Sequence, residues 1–258
     1  MIGQIVAIDF SHLFHVCWHA AQKAPPHYDP IETTIENVVG KLRTVKAALR
    51  KENIVGYDLI FAEDRPALRK LALLPGYRAG RVDLTAEKEQ IKTYLLQNGS
   101  ITRFCHSPDN EADDVLASLV KVANENGLHS IICTGDRDLW QLIDPKVKVF
   151  NPIKQEMVTE AHIERAFRCR PIHIPLFKSL WGDSGDCVPN VVPRMQKQLL
   201  PIILKTDGTL EAFFGRIENG DKYFLSEKCF NLLEENKTQI EINYQVVKLD
   251  NQCELIWE

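Results

Sequence analysis

Met1-Ile2-Gly3-Gln4-Ile5-Val6-Ala7-Ile8-Asp9 opens the chain. Residues 5–8 are short, apolar and rich in β-branched side chains, as in a strand buried inside a sheet, and the run ends on an acid. There is no basic segment ahead of it and the run is brief, so it reads as a first strand and not as a signal peptide. Further strands are expected at 57–61, 101–105, 130–133 and 147–150, the last pairing with Met157-Val158. Between them lie helical patterns. Ile35, Val38, Val39, Leu42, Val45 and Leu49 recur at helical spacing within 31–51. A helix over 85–97 has Thr85 as its N-cap and Asn98-Gly99 as its stop, and one over 112–126 puts Val115, Leu116, Leu119, Val120 and Ala123 on one face. Such alternation predicts an α/β fold with a mostly parallel sheet and helices on both faces.

Beyond about residue 159 the pattern changes to short helices broken by Pro171, Pro175, Pro189, Pro193 and Pro201, with strand signals returning only at 240–249. Two units are expected: an α/β domain over 1–158 that includes an arch over 75–100, and a smaller helical module over 159–258.

The 258 residues and the apolar fraction of 45% suit a globular protein of that size. The net charge of −4 lacks the basic excess usual in nucleic-acid binders, but a carboxylate-rich site lowers that sum locally. Seven cysteines (17, 105, 133, 169, 187, 229 and 253), without CxxC spacing, fit a reducing cytoplasm and argue against zinc or a disulfide framework. No apolar stretch is long enough to span a bilayer, so no membrane partner is expected. Trp18, Trp140, Trp181 and Trp257 read as packing residues; His12, His15 and His19 share one helix face bordering the core or a cleft.

The chemistry lies in the acids. Asp9 and Glu63 follow the first two strands, Glu111, Asp113 and Asp114 open a helix after the third, and Asp136 and Asp138 follow the fourth. Asp183 and Asp186 sit in Gly182-Asp183-Ser184-Gly185-Asp186. Helix N-termini favour acids one at a time. Acids at four strand ends together need another reason, because sites of open parallel sheets form at the carboxyl ends of strands and massed carboxylates repel unless cations join them. Two hard cations roughly 4 Å apart would suit hydrolysis of a phosphodiester. Magnesium keeps several waters, so nine acids need not mean nine direct ligands.

Four segments occur in order: Pro75-Gly76-Tyr77-Arg78-Ala79-Gly80-Arg81, Glu111-Ala112-Asp113-Asp114, Thr134-Gly135-Asp136-Arg137-Asp138-Leu139 and Gly182-Asp183-Ser184-Gly185-Asp186-Cys187-Val188-Pro189. Together they resemble the flap endonuclease and 5′→3′ exonuclease family, which includes the 5′-nuclease domain of bacterial DNA polymerase I and the stand-alone phage enzymes. The resemblance covers roughly residues 1–215 and is closest to the free-standing members. It implies a PIN-like fold and two Mg²⁺ ions, with Mn²⁺ as a substitute. Asp9, Glu111, Asp113, Asp114 and Asp136 would serve the first ion, and Asp138, Asp183 and Asp186 the second. The implied substrates are DNA with a 5′ flap, a nick or a free 5′ end, and an RNA/DNA primer hybrid, cut by a monomer in the cytoplasm, with a replication protein as a further partner.

Three departures matter. The family carries an aspartate on its second strand; counting back fourteen residues from Tyr77 lands on Glu63, which makes Asp64 a solvated turn residue and puts Lys70 in the place of a family arginine. Arg78 stands where lysine is common, and its planar fork can grip the scissile phosphate in two places, with Arg81 as an auxiliary backbone contact. Tyr77 reads equally as a stacking platform for the terminal base or as a packed side chain. Last, the family's helix–three-turn–helix normally contains a glycine-rich stretch, but here it reads Asn190-Val191-Val192-Pro193-Arg194-Met195, a degenerate form in which Arg194 and Lys197 would supply phosphate contacts. Two other readings stay open: a catalytically weakened module that binds branched DNA, favoured by Ala62 and the missing glycines, and a PIN-like ribonuclease.

Overall fold

The computed structural model describes residues 3–25, 27–98 and 103–258. The first part alternates as the sequence predicts: β1 (Gln4–Asp9), α1 (Phe10–Ala21), α2 (Pro30–Lys51), β2 (Tyr57–Ala62), α3 (Leu68–Leu73), α4 (Thr85–Asn98), β3 (Arg103–His106), α5 (Ala112–Glu125), β4 (His129–Cys133), β5 (Val147–Asn151) and β6 (Glu156–Met157). A 3₁₀ turn over Asp138–Leu142 follows β4. The second part contains α6 (Glu160–Phe167), α7 (Ile174–Trp181), α8 (Gln196–Ile203), α9 (Leu210–Glu218), α10 (Glu227–Glu235) and α11 (Lys237–Val247), and closes on β7 (Ile256–Trp257).

The strands form one sheet in the order β6-β5-β4-β1-β2-β3-β7. The inner pairings β1·β2, β1·β4, β2·β3 and β4·β5 are parallel; only the edge strands β6 and β7 pair antiparallel. Alternate residues face opposite sides. Ile5, Ala7, Ile60 and Ala62 pack under α5, against Val115, Leu116 and Leu119. Val6, Ile8, Phe61 and Phe104 pack against α1 and α2, through Phe10, Phe14, Val38, Val45 and Leu49. Each fully buried Leu or Phe here contributes roughly 1.5–3 kcal/mol, so both faces hold the strands in register. Cys105 and Cys133 are buried in strands, as expected.

The helical part departs from expectation in three places. Residues 240–247 lie in α11 and not in a strand, because Ile240, Asn243, Val246 and Val247 recur at helical spacing and are buried. Asn243 Nδ2 donates to the carbonyls of Ser179 and Pro189, both at 2.9 Å, and so ties α11 to α7 and to the loop that follows it. Residues 256–257 return to the α/β sheet as β7, leaving Trp257 about half exposed and not packed. Finally, Ile163 and Phe167 of α6 and Ile174 of α7 belong to the α/β core, so packing does not break at residue 158. A separate core of Leu180, Trp181, Val192, Leu199, Phe213 and Leu233 holds the remaining helices. No helix among the described residues is long and apolar enough to cross a membrane.

Gly182 ends α7 at φ 72°, and a Cβ there would lie 2.5 Å from the Val188 carbonyl oxygen and 2.7 Å from Asn190 N. Those neighbours are backbone, closed onto Asp183 by paired hydrogen bonds between Asp183 and Val188 at 2.8 and 2.9 Å. Gly182→Ala is therefore expected to destabilise by more than about 2 kcal/mol, or at least roughly 4 °C in Tm. Gly215→Ala, in α9 with no atom within 4 Å of the new Cβ, is the control and is expected to hold or raise Tm. Equal melting of the two variants would contradict the role given to Gly182.

Candidate active site

Because β1, β2, β3 and β4 run parallel, their carboxyl ends meet at one edge of the sheet. A cleft of about 660 Å³ opens there, and Asp9, Asp64, Glu111, Asp113 and Asp136 line it. Asp9 caps α1: its Oδ1 accepts the His12 N–H at 2.9 Å and its Oδ2 accepts the Thr134 hydroxyl at 2.9 Å. Thr134 Oγ1 accepts the Asp136 N–H at 3.0 Å, and Asp136 Oδ1 accepts the Asp138 N–H at 2.9 Å. The β4–turn segment is thus threaded onto Asp9 by hydrogen bonds. Asp113, in the first turn of α5, is buried beside them.

The second-strand acid differs from the expectation. Glu63 turns away from the cleft, and Asp64 lines it. The reason is strand alternation: the Glu63 N–H still bonds Cys105 O at 3.0 Å, extending β2, and its side chain falls on the Phe61 face, where α4 packs. There Lys92 Nζ meets Glu63 Oε2 at 2.9 Å, with Arg65 at 3.6 Å. Lys92 also pairs with Glu258, which accepts from His106 at 3.0 Å. Asp64 Oδ1 accepts the Ala112 N–H at 2.9 Å and so fixes the start of α5. Burial works to raise the Asp64 carboxyl, but Lys88 and Arg78 outweigh it and hold the group at about 2.

Behind the cleft wall lies a row of buried charge. Lys70 Nζ sits 2.9 Å from both Glu111 Oε2 and Asp114 Oδ2, and Asp114 Oδ1 accepts the Asp250 N–H at 2.8 Å. Asp114 is 1% exposed and does not line the cleft, and neither does Lys70. Both are expected at the site from the sequence, Asp114 as a metal ligand and Lys70 in the place of a family arginine; the structure instead pairs them behind the cleft lining. Helical spacing explains the division: Asp113 and Asp114 are a hundred degrees apart around α5, so only one can face the opening. Tyr77, by contrast, lines the cleft, packed into its wall. It is 5% exposed, its hydroxyl donates to Glu111 Oε2 at 2.8 Å, and Arg78 lies 5.4 Å from its ring centre.

Arg78 has a left-handed backbone (φ 52°) and links the two acidic groups. Its guanidinium pairs with Glu111, lies 3.8 Å from Asp113, and donates through Nε to Asp186 Oδ1 at 3.1 Å. Arg81 reaches the same oxygen at 2.8 Å. Ligand oxygens of Asp138, Asp183 and Asp186 all lie within 4.8 Å of one another. Asp138 and Asp183 face an adjoining cleft of about 480 Å³ that shares Asp136 and His12 with the first, so the acidic lining runs on from one cleft to the next, with Asp186 set beside it. Lys178 of α7, bonded to Asp138 and Asp183, was not foreseen; a lone lysine in Ile174-Pro175-Leu176-Phe177-Lys178-Ser179-Leu180-Trp181 was the available signal. His12, His15 and His19 line the first cleft on their shared face.

Arg194 and Lys197 lie apart from these acids. With Arg168 and Phe177 they line a groove of about 420 Å³ between α6 and α8. The glycine-poor loop holds its shape by packing: Val192 is fully buried and its carbonyl accepts Trp181 Nε1 at 3.1 Å. Arg194 itself takes the left-handed conformation (φ 65°) that a glycine would adopt freely.

The donor set fits hard divalent cations. Burial lifts Asp9 to about 6 and Asp138 to about 6, and lifts Asp113 well above its ordinary range, with Asp136 and Asp9 adding repulsion. From about pH 4 through about pH 6 the folded protein keeps protons that the unfolded chain has released, so stability falls as pH rises across that window. A bound cation reverses this by favouring the ionised carboxylates. Saturating Mg²⁺ or Mn²⁺ is therefore expected to raise Tm more at pH 8 than at pH 5, by several degrees in thermal melts. An equal rise at both pH values would contradict the desolvated cluster.

Comparison with known proteins gives the chain a family and a fold. A family model described as 5′-3′ exonuclease, N-terminal resolvase-like domain, matches residues 4–168. The flap endonuclease Xni of Pectobacterium atrosepticum is 30% identical over 194 residues, 72% of this chain and 70% of its own. The thermostable DNA polymerase I of Thermus thermophilus is 28% identical across 93% of this chain, which spans only 28% of that protein. In fold, a T5 protein co-crystallized with metal ions superposes with a TM-score of 0.70 at 19% identity, covering 97% of this chain and 91% of that one. The catalytic core of Rad2 in complex with DNA substrate gives 0.55 at 13% identity, covering 98% and 80%. The mostly parallel sheet is thus set in a known frame, and the chain belongs to the 5′-3′ exonuclease family.

Proposed function

We propose that the protein is a structure-selective 5′-nuclease that hydrolyses DNA phosphodiester bonds at junctions of single and double strands. The observation that carries this reading is the continuous acidic wall, from Asp9, Asp64, Asp113 and Asp136 to Asp138 and Asp183, with Asp186 beside the last two and Arg78 set between the halves. Asp9, Asp64, Asp113 and Asp136 would hold one divalent cation and Asp138, Asp183 and Asp186 a second, with Mg²⁺ the expected ion and Mn²⁺ a substitute. Such ions supply Lewis acidity and neutralise charge on the phosphate.

The chain's own groups bind and orient. Arg78, set among Glu111, Asp113 and Asp186 and lining the cleft, offers a fixed fork to a phosphate. Arg81 and Lys88 border the same opening and attract the 5′-terminal backbone. Arg194 and Lys197, together with Arg168, give the duplex a second charged surface. The α/β and helical parts would share the work as cutting edge and duplex grip, although α6 and the start of α7 pack on the α/β core. The free cysteines suit a reducing cytoplasm.

The test is a labelled 5′-flap DNA, a nicked duplex, an RNA/DNA primer hybrid and an all-RNA flap, each with Mg²⁺ and with EDTA. Metal-dependent release of a 5′ product from DNA is expected. Flap binding without turnover at any metal concentration would replace this reading with a binding module, and faster cleavage of all-RNA flaps would replace it with a ribonuclease.

A further inference from the structure

We propose that Lys178 is the resident counter-ion of the second acidic group: its ammonium occupies the space between Asp138 and Asp183 and sets how readily a divalent cation enters, so that the two groups fill unequally. The inference rests on the reading that both groups take divalent cations.

The two halves of the wall are not balanced alike. In the second half every acid already has a protein cation. Lys178 Nζ bonds both Asp138 and Asp183, while Asp186 Oδ1 takes Arg78 Nε at 3.1 Å and Arg81 at 2.8 Å. In the first half, Asp9 is satisfied by a backbone N–H and a hydroxyl, and Asp136 accepts a backbone N–H. Among the described residues no lysine or arginine lies within 4.0 Å of either. Asp113 sees a guanidinium only at 3.8 Å. Asp64 does pair with Lys88, at 3.5 Å, so an incoming cation meets three undercompensated carboxylates, Asp9, Asp113 and Asp136, in the first half and an incumbent in the second.

The incumbent is built in. Lys178 rises from a helix whose other side chains are apolar or small, and its side chain is 8% exposed. Burying an ammonium costs several kcal/mol unless fixed anions answer it. Leu180 and Trp181 of the same helix fill the core, so packing alone would accept a methionine at 178. An ammonium is also the right kind of incumbent. It is a point charge on a flexible four-carbon stem, and it can withdraw toward solvent or toward a phosphate without moving α7. A guanidinium in the same place would stay bound in a fork.

The experiment titrates the metal-stripped full chain with Mn²⁺, followed by electron paramagnetic resonance and calorimetry, with no DNA and no turnover. Wild type is expected to bind one ion tightly and a second at least tenfold more weakly. In Lys178→Met the second ion should tighten at least tenfold, and Mn²⁺ should raise Tm more than it does in wild type. Asp138→Asn, in the presence of Lys178, should lose the weak ion and keep the tight one; it serves if Lys178→Met folds poorly. Two equal sites in wild type, an unchanged second affinity in Lys178→Met, or loss of the tight ion in Asp138→Asn would each overturn the proposal. If neither wild type nor Lys178→Met binds Mn²⁺ at all, the underlying metal reading falls and takes this inference with it.

Discussion

Asp113→Asn combined with Asp136→Asn is expected to lower flap cleavage by 10³-fold or more, while the metal-free protein melts higher than wild type. Metal-assisted stabilisation of a phosphoryl transition state supplies on the order of several kcal/mol, and each 1.36 kcal/mol is about a factor of ten in rate. Asp113 and Asp136 face the same cleft, and the charge of Asp136 adds to the burial that raises the cost of ionising Asp113. Removing both charges removes the electrostatic reason for a cation to settle there. The same change relieves repulsion among desolvated carboxylates, so the apo fold gains stability. The two halves of this result must appear together. A rate loss accompanied by a lower Tm would point to damaged folding, and an unchanged rate would defeat the placement of the chemistry at this cleft. Steady-state flap cleavage and metal-free melting at pH 8 measure both.

The sequence made most of this wall legible, because its logic is one-dimensional. An apolar run followed by an acid marks a strand's carboxyl end, and parallel strands place all such ends together. Asp9, Asp113 and Asp136 could be read that way, as could the Asp183–Asp186 loop. What could not be read was the face a side chain takes once the strand has ended. The count from Tyr77 favoured Glu63, yet the extra ladder bond from Glu63 to Cys105 keeps the alternation running for one more residue and delivers Asp64 to the cleft. Neighbours within one acidic string were likewise inseparable by composition: Asp113 and Asp114 differ only by a step around α5. Three partners were set by distant segments. Lys92 answers Glu63 from α4, Lys178 answers Asp138 from α7, and the Asp250 backbone answers Asp114 from beyond α11. Residues 240–249 were misread because β-branched residues suit a strand locally, while Asn243 and its two carbonyl partners decide in favour of a helix. Residues 99–102, including the Gly99 stop and the start of the third expected strand, lie outside the described residues.

Lys70 supplies the sharpest contrast between position in the sequence and position in the fold. Lys70→Met is expected to destabilise the protein by about 3–5 kcal/mol, a fall of roughly 6–20 °C in Tm, because it strands buried carboxylates without their ammonium. Glu111 would keep the Tyr77 hydroxyl and Arg78, but Asp114, 1% exposed, would keep only the Asp250 N–H. The loss should therefore be recovered mainly by neutralising Asp114. In the double variant Lys70→Met/Asp114→Asn, buried charge leaves in a matched pair, and most of the single-variant loss should return, with a coupling energy of about 1–3 kcal/mol in a double-mutant cycle. A phosphate contact at Lys70 would behave differently, since cleavage would stay low in the double variant however well it folded. The ion pair lies behind the wall, so the folded double variant is expected to cut flap DNA within a few-fold of wild type. A double variant that melts like wild type but cleaves a hundredfold more slowly would return Lys70 to the substrate.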